Sequence, residues 1–131
     1  LPATVRHALG DEVLWVGPYP AYMHAHRLLR EHGIFQGPTS GAAGLVAEWI
    51  AKAHPEARVA AILPDEGHRY VDTIYNDAWL ASLPGWPCEA PSAPRRLEKI
   101  EPADEASWTR FNWGRQARED VMRAQALLPN P

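Results

Sequence analysis

The sequence is short of cysteine, lysine and long apolar runs, and each shortage narrows what the chain can be. Cys88 is the one cysteine in 131 residues. A single thiol builds no internal disulfide framework, so a reducing, cytoplasmic setting is expected. No apolar run approaches the roughly 20 residues of a membrane span, and no secretory leader pattern stands at the start. A membrane is therefore not an expected partner. Basic blocks and stripes are missing too. Thirteen basic residues stand against sixteen acidic ones, for a net charge of −3, which argues against nucleic acid as a partner. Lys52 and Lys99 are the only lysines, a scarcity that bears on chemistry below.

What is present suits a globular chain. Hydrophobic residues make up 46%, and the length supports one compact core. Glu12 to Val16 carries β-branched and aromatic residues and predicts a strand. Gly17-Pro18-Tyr19-Pro20 breaks it and opens a helix running to about His32. Tyr22, Ala25, His26 and Leu29 fall at helical spacing and predict its buried stripe, with Arg27, Arg30 and Glu31 outside. Gly33 is a natural stop. A second helix is expected over about 40–54. Its packing face is Ala42, Ala43, Val46, Ile50 and Ala53, whose small residues permit close contact with a sheet.

Arg58 to Leu63 reads as a central strand, apolar on both faces, ending in a turn at Pro64-Asp65-Glu66-Gly67. Residues 69–82 predict a helix with Tyr70, Ile74 and Leu80 inward. This order implies an α/β fold with a mostly parallel sheet flanked by helices. Residues 1–83 form the regular part. Residues 84–131, rich in proline and tryptophan, read as an extended strap. A final helix is expected over about 115–128, with Val121, Ala124 and Leu128 on one face. Trp86, Trp108 and Trp113 are expected to pin the strap to a partner surface.

The most informative stretch is Gly37-Pro38-Thr39-Ser40-Gly41-Ala42-Ala43. It delivers two hydroxyl residues to a helix start, where free N–H groups gather. Physics alone leaves two readings open. Thr39 or Ser40 is simply the helix N-cap, or the loop and helix terminus receive an anion or a heteroaromatic ring.

That stretch resembles a Gly-X-Ser/Thr-Ser-Gly-Ala segment of the cysteine synthase and cystathionine β-synthase family. Three further segments resemble the family in the same order: Asp11-Glu12-Val13, Glu31-His32-Gly33-Ile34, and Ile62-Leu63-Pro64-Asp65-Glu66-Gly67-His68-Arg69-Tyr70. The resemblance covers about residues 1–80. It implies part of the larger domain of a fold-type II enzyme using pyridoxal 5′-phosphate (PLP). It implies that Thr39 hydrogen-bonds the PLP ring nitrogen, with Gly37, Ser40 and Gly41 shaping the cofactor wall. A neutral hydroxyl there makes the ring a moderate electron sink, suited to elimination and replacement at a β-carbon. Glu66 stands where the family more usually has serine, so no serine role carries over.

In the family the Schiff-base lysine, the substrate-carboxylate loop and the phosphate loop all lie upstream of these segments. Lys52 falls within the second helix and Lys99 in the tail, neither in the family's lysine context. Leu1-Pro2 resembles the step after another Gly-rich loop of the family, and the chain opens without methionine. The expectation is a C-terminal part of a PLP-dependent enzyme that acts on an O-activated L-serine to give cysteine or a related amino acid. No catalytic residue is assigned within the chain. Its expected partner is an N-terminal, lysine-bearing part, as a separate chain or fragment, and the assembled unit is expected to be a homo-oligomer. A non-catalytic scaffold or regulatory remnant is the alternative. A small domain binding a phosphate compound through residues 37–41 is a third.

The other chemistry-bearing residues are weaker candidates. His24 and His26 lie two apart on a helix and face different sides, which is no metal pair, and no metal site is expected. Asp65, Glu66 and His68 read as a solvated turn. Cys88 lies between prolines without a basic neighbour and reads as structural.

Overall fold

The computed structural model describes residues 6–125. The strand expected at Glu12–Val16 is β1, and it leads through Gly17 into α1, Pro18–His32. Proline at the first helical positions costs little, because those N–H groups have no intrahelical acceptor. Gly33 ends the helix in the left-handed conformation, at φ 67°. The second helix, α2, spans Pro38–Ala53.

α1 and α2 pack closely, and glycine makes this possible. A Cβ on Gly41 would lie 2.1 Å from the Ala21 carbonyl oxygen, and one on Gly44 3.0 Å from the His24 ring. The buried face of α1 is accordingly Ala21, His24 and Ala25. This differs from the expected stripe: Tyr22, His26 and Leu29 are half-buried. Small side chains won the contact because the glycines of α2 draw the two backbones together. Burial lowers the pKa of the His24 imidazole, with Glu48 opposing and Arg27 adding to the effect.

Four expectations fail here. Arg58 to Leu63 forms no strand; it is irregular, and Ile62 is 84% exposed. No described strand pairs with it. Ala53 of the expected α2 packing face is exposed, and only Ser40 and Gly41 of that helix are buried. The helix expected over 69–82 is broken into a short 3-10 turn, Gly67–Tyr70, and α3, Asp77–Ala81. The break falls at Asn76, whose side chain accepts from the Ala78 and Trp79 amides and starts a new helix. Ile74 and Leu80 are inward as expected, while Tyr70 is half-buried.

The fourth concerns the tail, which is not an extended strap. It supplies β2, Arg95–Leu97, and β3, Trp108–Asn112, and ends in α4, Arg118–Ala124. The strands are ordered β1-β3-β2, with β1 antiparallel and β2 parallel to β3. The described sheet is therefore mixed rather than mostly parallel. Val16 pairs with Trp108 and Glu12 with Asn112. The tail also receives the start of α1: Gly17 N–H donates to Ser107 O at 2.8 Å and Tyr19 N–H to Glu105 O at 3.0 Å.

Trp108 and Trp113 have no exposed surface. They are fastened inside this chain rather than to a partner surface. Trp108 Nε1 donates to Pro91 O at 2.8 Å, and Trp113 Nε1 to Gln116 O at 2.7 Å. Trp86 lies edge-on to Tyr19, with ring centroids 5.6 Å apart. Leu97, Phe111, Trp113 and Val121 form a core against which Val13 and Trp15 of β1 pack. Ala124 is exposed, and Leu128 lies outside the described residues. Alternation turns Leu14 and Val16 to the other face of β1, toward α2. Trp49 of α2 meets Trp108 edge-on at 5.8 Å, with the Arg110 guanidinium 5.2 Å from the Trp49 ring centre. No described helix is long and apolar enough to cross a membrane.

Gly41→Ala tests the helix contact. A methyl group forced against the Ala21 carbonyl should destabilise the chain by about 3 kcal/mol, read as a lowered denaturant midpoint in tryptophan fluorescence. An unchanged midpoint would mean that α1 and α2 do not approach this closely.

Candidate functional site

Residues 37–41 sit at the N-terminus of α2, where a helix start leaves amides without intrahelical acceptors. Neither Thr39 nor Ser40 is the N-cap, contrary to the simpler sequence reading. Gly37 holds that position and has no side chain to offer. The acceptor comes instead from 25 residues downstream. The Asp65 carboxylate accepts from the Thr39 amide at 2.9 Å, from the Ser40 amide at 2.7 Å and from the Ser40 hydroxyl at 2.5 Å. The Asp65 amide in turn donates to Ser40 Oγ at 3.2 Å.

The backbone closes the same junction. Gly37 N–H donates to Asp65 O at 3.0 Å, Gly67 N–H donates to Phe35 O at 3.2 Å, and Gln36 forms an antiparallel bridge with Glu66. Tyr75 Oη donates to Gln36 O at 2.6 Å. The turn read as merely solvated thus splits by residue. Glu66 and His68 are exposed and 3.3 Å apart, whereas Asp65 is buried and central.

The electrostatics follow from this geometry. Burial alone would raise the Asp65 pKa. Hydrogen bonds from the Ser40 hydroxyl and from the Thr39 and Ser40 amides outweigh it, and the pKa falls below its usual value. The positive end of the α2 dipole favours the same anion. Asp65 was missed in the sequence as a functional residue. The available signal was a helix start with glycine at its cap and an aspartate at the end of the next apolar segment.

The four residues expected to meet a cofactor are brought together, but with different freedoms. A Cβ on Gly37 would lie 2.3 Å from the Tyr70 ring and 2.4 Å from the Asp65 carboxylate, so its missing side chain makes room for this chain itself. Ser40 is fully buried and committed to Asp65. Gly41 serves the contact with α1. Thr39 is the one of the four with an exposed side chain, and its hydroxyl also leans toward Asp65. A single hydroxyl on a fixed helix terminus suits one hydrogen bond to a planar heteroaromatic edge. An anion would meet Asp65 already in place.

The lysines stand apart from this site. Lys52 is exposed near the far end of α2 and pairs with Glu48, and Lys99 lies in the exposed loop after β2. Cys88 is half-buried. Among the described residues no three His, Cys, Asp or Glu side chains converge as a metal-ligand group.

Asp65→Ala leaves two amides and a buried hydroxyl without their acceptor and should cost about 2 to 3 kcal/mol of stability. The pH dependence has a defined sign. A depressed aspartate pKa contributes stability that is present above the unfolded value near 3.9 and lost as pH falls through the folded value. His24, whose pKa burial lowers, removes stability earlier, from about pH 6.5 downward. Unfolding midpoints between pH 7 and 3 should therefore fall in two stages, and Asp65→Ala should shrink the lower one, to which Asp11 and Glu48 also contribute, and leave the upper one in place.

Comparison with known proteins gives a partial answer. Over 74 residues, 56% of this chain, it is 42% identical to the N-(2-amino-2-carboxyethyl)-L-glutamate synthase of Ralstonia nicotianae (strain ATCC BAA-1114 / GMI1000). Over 77 residues it is 42% identical to the protein of the same name from Cupriavidus metallidurans (strain ATCC 43123 / DSM 2839 / NBRC 102507 / CH34). The match covers 22% of the first relative and 23% of the second, so the chain spans under a quarter of their length. No family model matches, and no solved structure matches. Over more than half its length, this chain is related to synthases that make an amino-acid derivative.

Proposed function

We propose that this chain is the C-terminal part of a PLP-dependent enzyme of the cysteine synthase type, and that it works with a lysine-bearing N-terminal part. One observation carries the reading: an exposed threonine stands at a helix terminus locked by Asp65, within a chain related to synthases that make an amino-acid derivative. Thr39 is the residue proposed to touch the ring nitrogen of the cofactor. Gly37, Ser40 and Gly41 are positioning residues, which fix where Thr39 sits. The bound cofactor would supply the electron sink for breaking and making bonds at the β-carbon.

The relatives' name specifies a 2-amino-2-carboxyethyl group on the nitrogen of L-glutamate. Such a product forms when an O-activated L-serine loses its oxygen leaving group from the β-carbon and an amine takes its place. The C–O bond breaks with its electron pair leaving on oxygen, a C–N bond forms from the amine lone pair, and the amine gives up a proton. For this chain we propose the same replacement, with an amino-acid amine as the nucleophile. The assembled unit is proposed to be a homo-oligomer.

The non-catalytic alternative draws on one feature. Asp65 already satisfies the helix terminus, so the junction is complete without any ligand. Cofactor content separates the two readings. This chain is co-expressed with the rest of the Ralstonia synthase, its matched segment removed. An enzyme should carry a visible cofactor band and show the cofactor on the larger chain after borohydride reduction. Thr39→Ala should shift that band and weaken cofactor retention about tenfold, equivalent to one lost hydrogen bond to a charged or polarised group, while lowering the unfolding midpoint of this chain far less than Asp65→Ala does. An assembled complex without any band would favour the scaffold.

A further inference from the structure

β1 ends the described sheet, so one of its edges has no neighbour there. Beside it lies a trough of about 360 Å³. Leu14 and Val16 of β1 form one side, Val46 and Ile50 of α2 form the floor, and Val59 to Ala61 form the other side. No charged side chain lines it. Four of the five residues expected to pack α2 on a sheet (Ala42, Ala43, Val46 and Ile50) face this trough.

The segment Arg58 to Leu63 borders it in an unusual state. Its sequence is that of a buried strand, yet among the described residues it makes no backbone–backbone hydrogen bond. Val59 is 36% and Ile62 84% exposed. Apolar backbone without a ladder is open to strand addition.

We infer that this trough is a docking surface for an extended, uncharged and aliphatic segment of the lysine-bearing part, which pairs its backbone with residues 58–63 and lies over α2. The inference rests on the proposed two-part enzyme. The relatives extend well beyond the matched region, which is 22% of one and 23% of the other, so they have chain to supply such a strand. A second copy is a poorer occupant. Two copies paired through 58–63 would satisfy that edge and leave each trough between β1 and α2 open.

The test uses this chain alone and co-purified with the rest of the Ralstonia synthase, followed by amide hydrogen exchange. In the lone chain, amides 59–63 should exchange rapidly. In the complex they should slow by at least about tenfold, because ladder bonds must open before exchange. Ala60→Pro and Ile62→Asp alter exposed positions, so the circular dichroism and unfolding midpoint of the lone chain should hold, while complex formation drops at least about tenfold through the lost ladder bond and lost burial. Failure to co-purify, a complex without protection at 59–63, or a lone chain that dimerises with those amides protected would each overturn the surface. Protection without a cofactor band would retain the surface and sink the enzyme reading. A band without protection would do the reverse.

Discussion

Two backbone amides and one hydroxyl at the start of α2 converge on the Asp65 carboxylate, and the arrangement around the site descends from that convergence. A helix whose cap residue is glycine has no acceptor of its own for its first amides. Asp65 supplies it across 25 residues, so the turn after the apolar segment is tied to the helix start. Gly37, Gln36 and Gly67 then close the same junction through backbone bonds. Thr39 needs no ligand to hold its place, because its own amide is fixed by the aspartate. A preorganised hydroxyl of this kind loses little entropy when it meets a ring.

The helix pair extends that order. Ser40 faces Asp65 while its neighbour Gly41 faces the Ala21 carbonyl, so adjacent residues anchor α2 to the turn and to α1. On the far side, Trp49 reaches Trp108 and ties α2 to the sheet made by the tail. β1 is shared between the two halves of the sequence. Its Val13 and Trp15 face the tail core, and its Leu14 and Val16 face the trough beside α2. One face of this strand is thus covered from within the chain, and the other borders an apolar trough.

Local signals were legible where the cause was local. Glycine at position 33 ended α1, proline opened both long helices, and the apolar run at 12–16 became a strand. The segment at 58–63 shows where such signals stop. Its residues satisfy every compositional criterion for a buried strand, yet burial requires a neighbour, and no described strand is adjacent. The tail shows the converse. Two strands went unread there, because runs of three and five residues carry little periodicity. Asn76 likewise broke a helix whose apolar spacing was otherwise continuous.

The sequence by itself determined where α1 and α2 start and stop, the grouping of Gly37, Thr39, Ser40 and Gly41 at one helix terminus, and the separation of both lysines from that group. These follow from backbone preferences and helical spacing, which act within a few residues. Only the tertiary structure decided that Asp65 supplies the acceptor for the first amides of α2, that Ser40 and Gly41 are spent on internal contacts, and that Trp108 and Trp113 belong to this chain's core. Those outcomes depend on which distant donor meets which acceptor and which ring finds an apolar surface. Contacts of that kind join residues tens of positions apart, where no local pattern in the sequence can specify the partner.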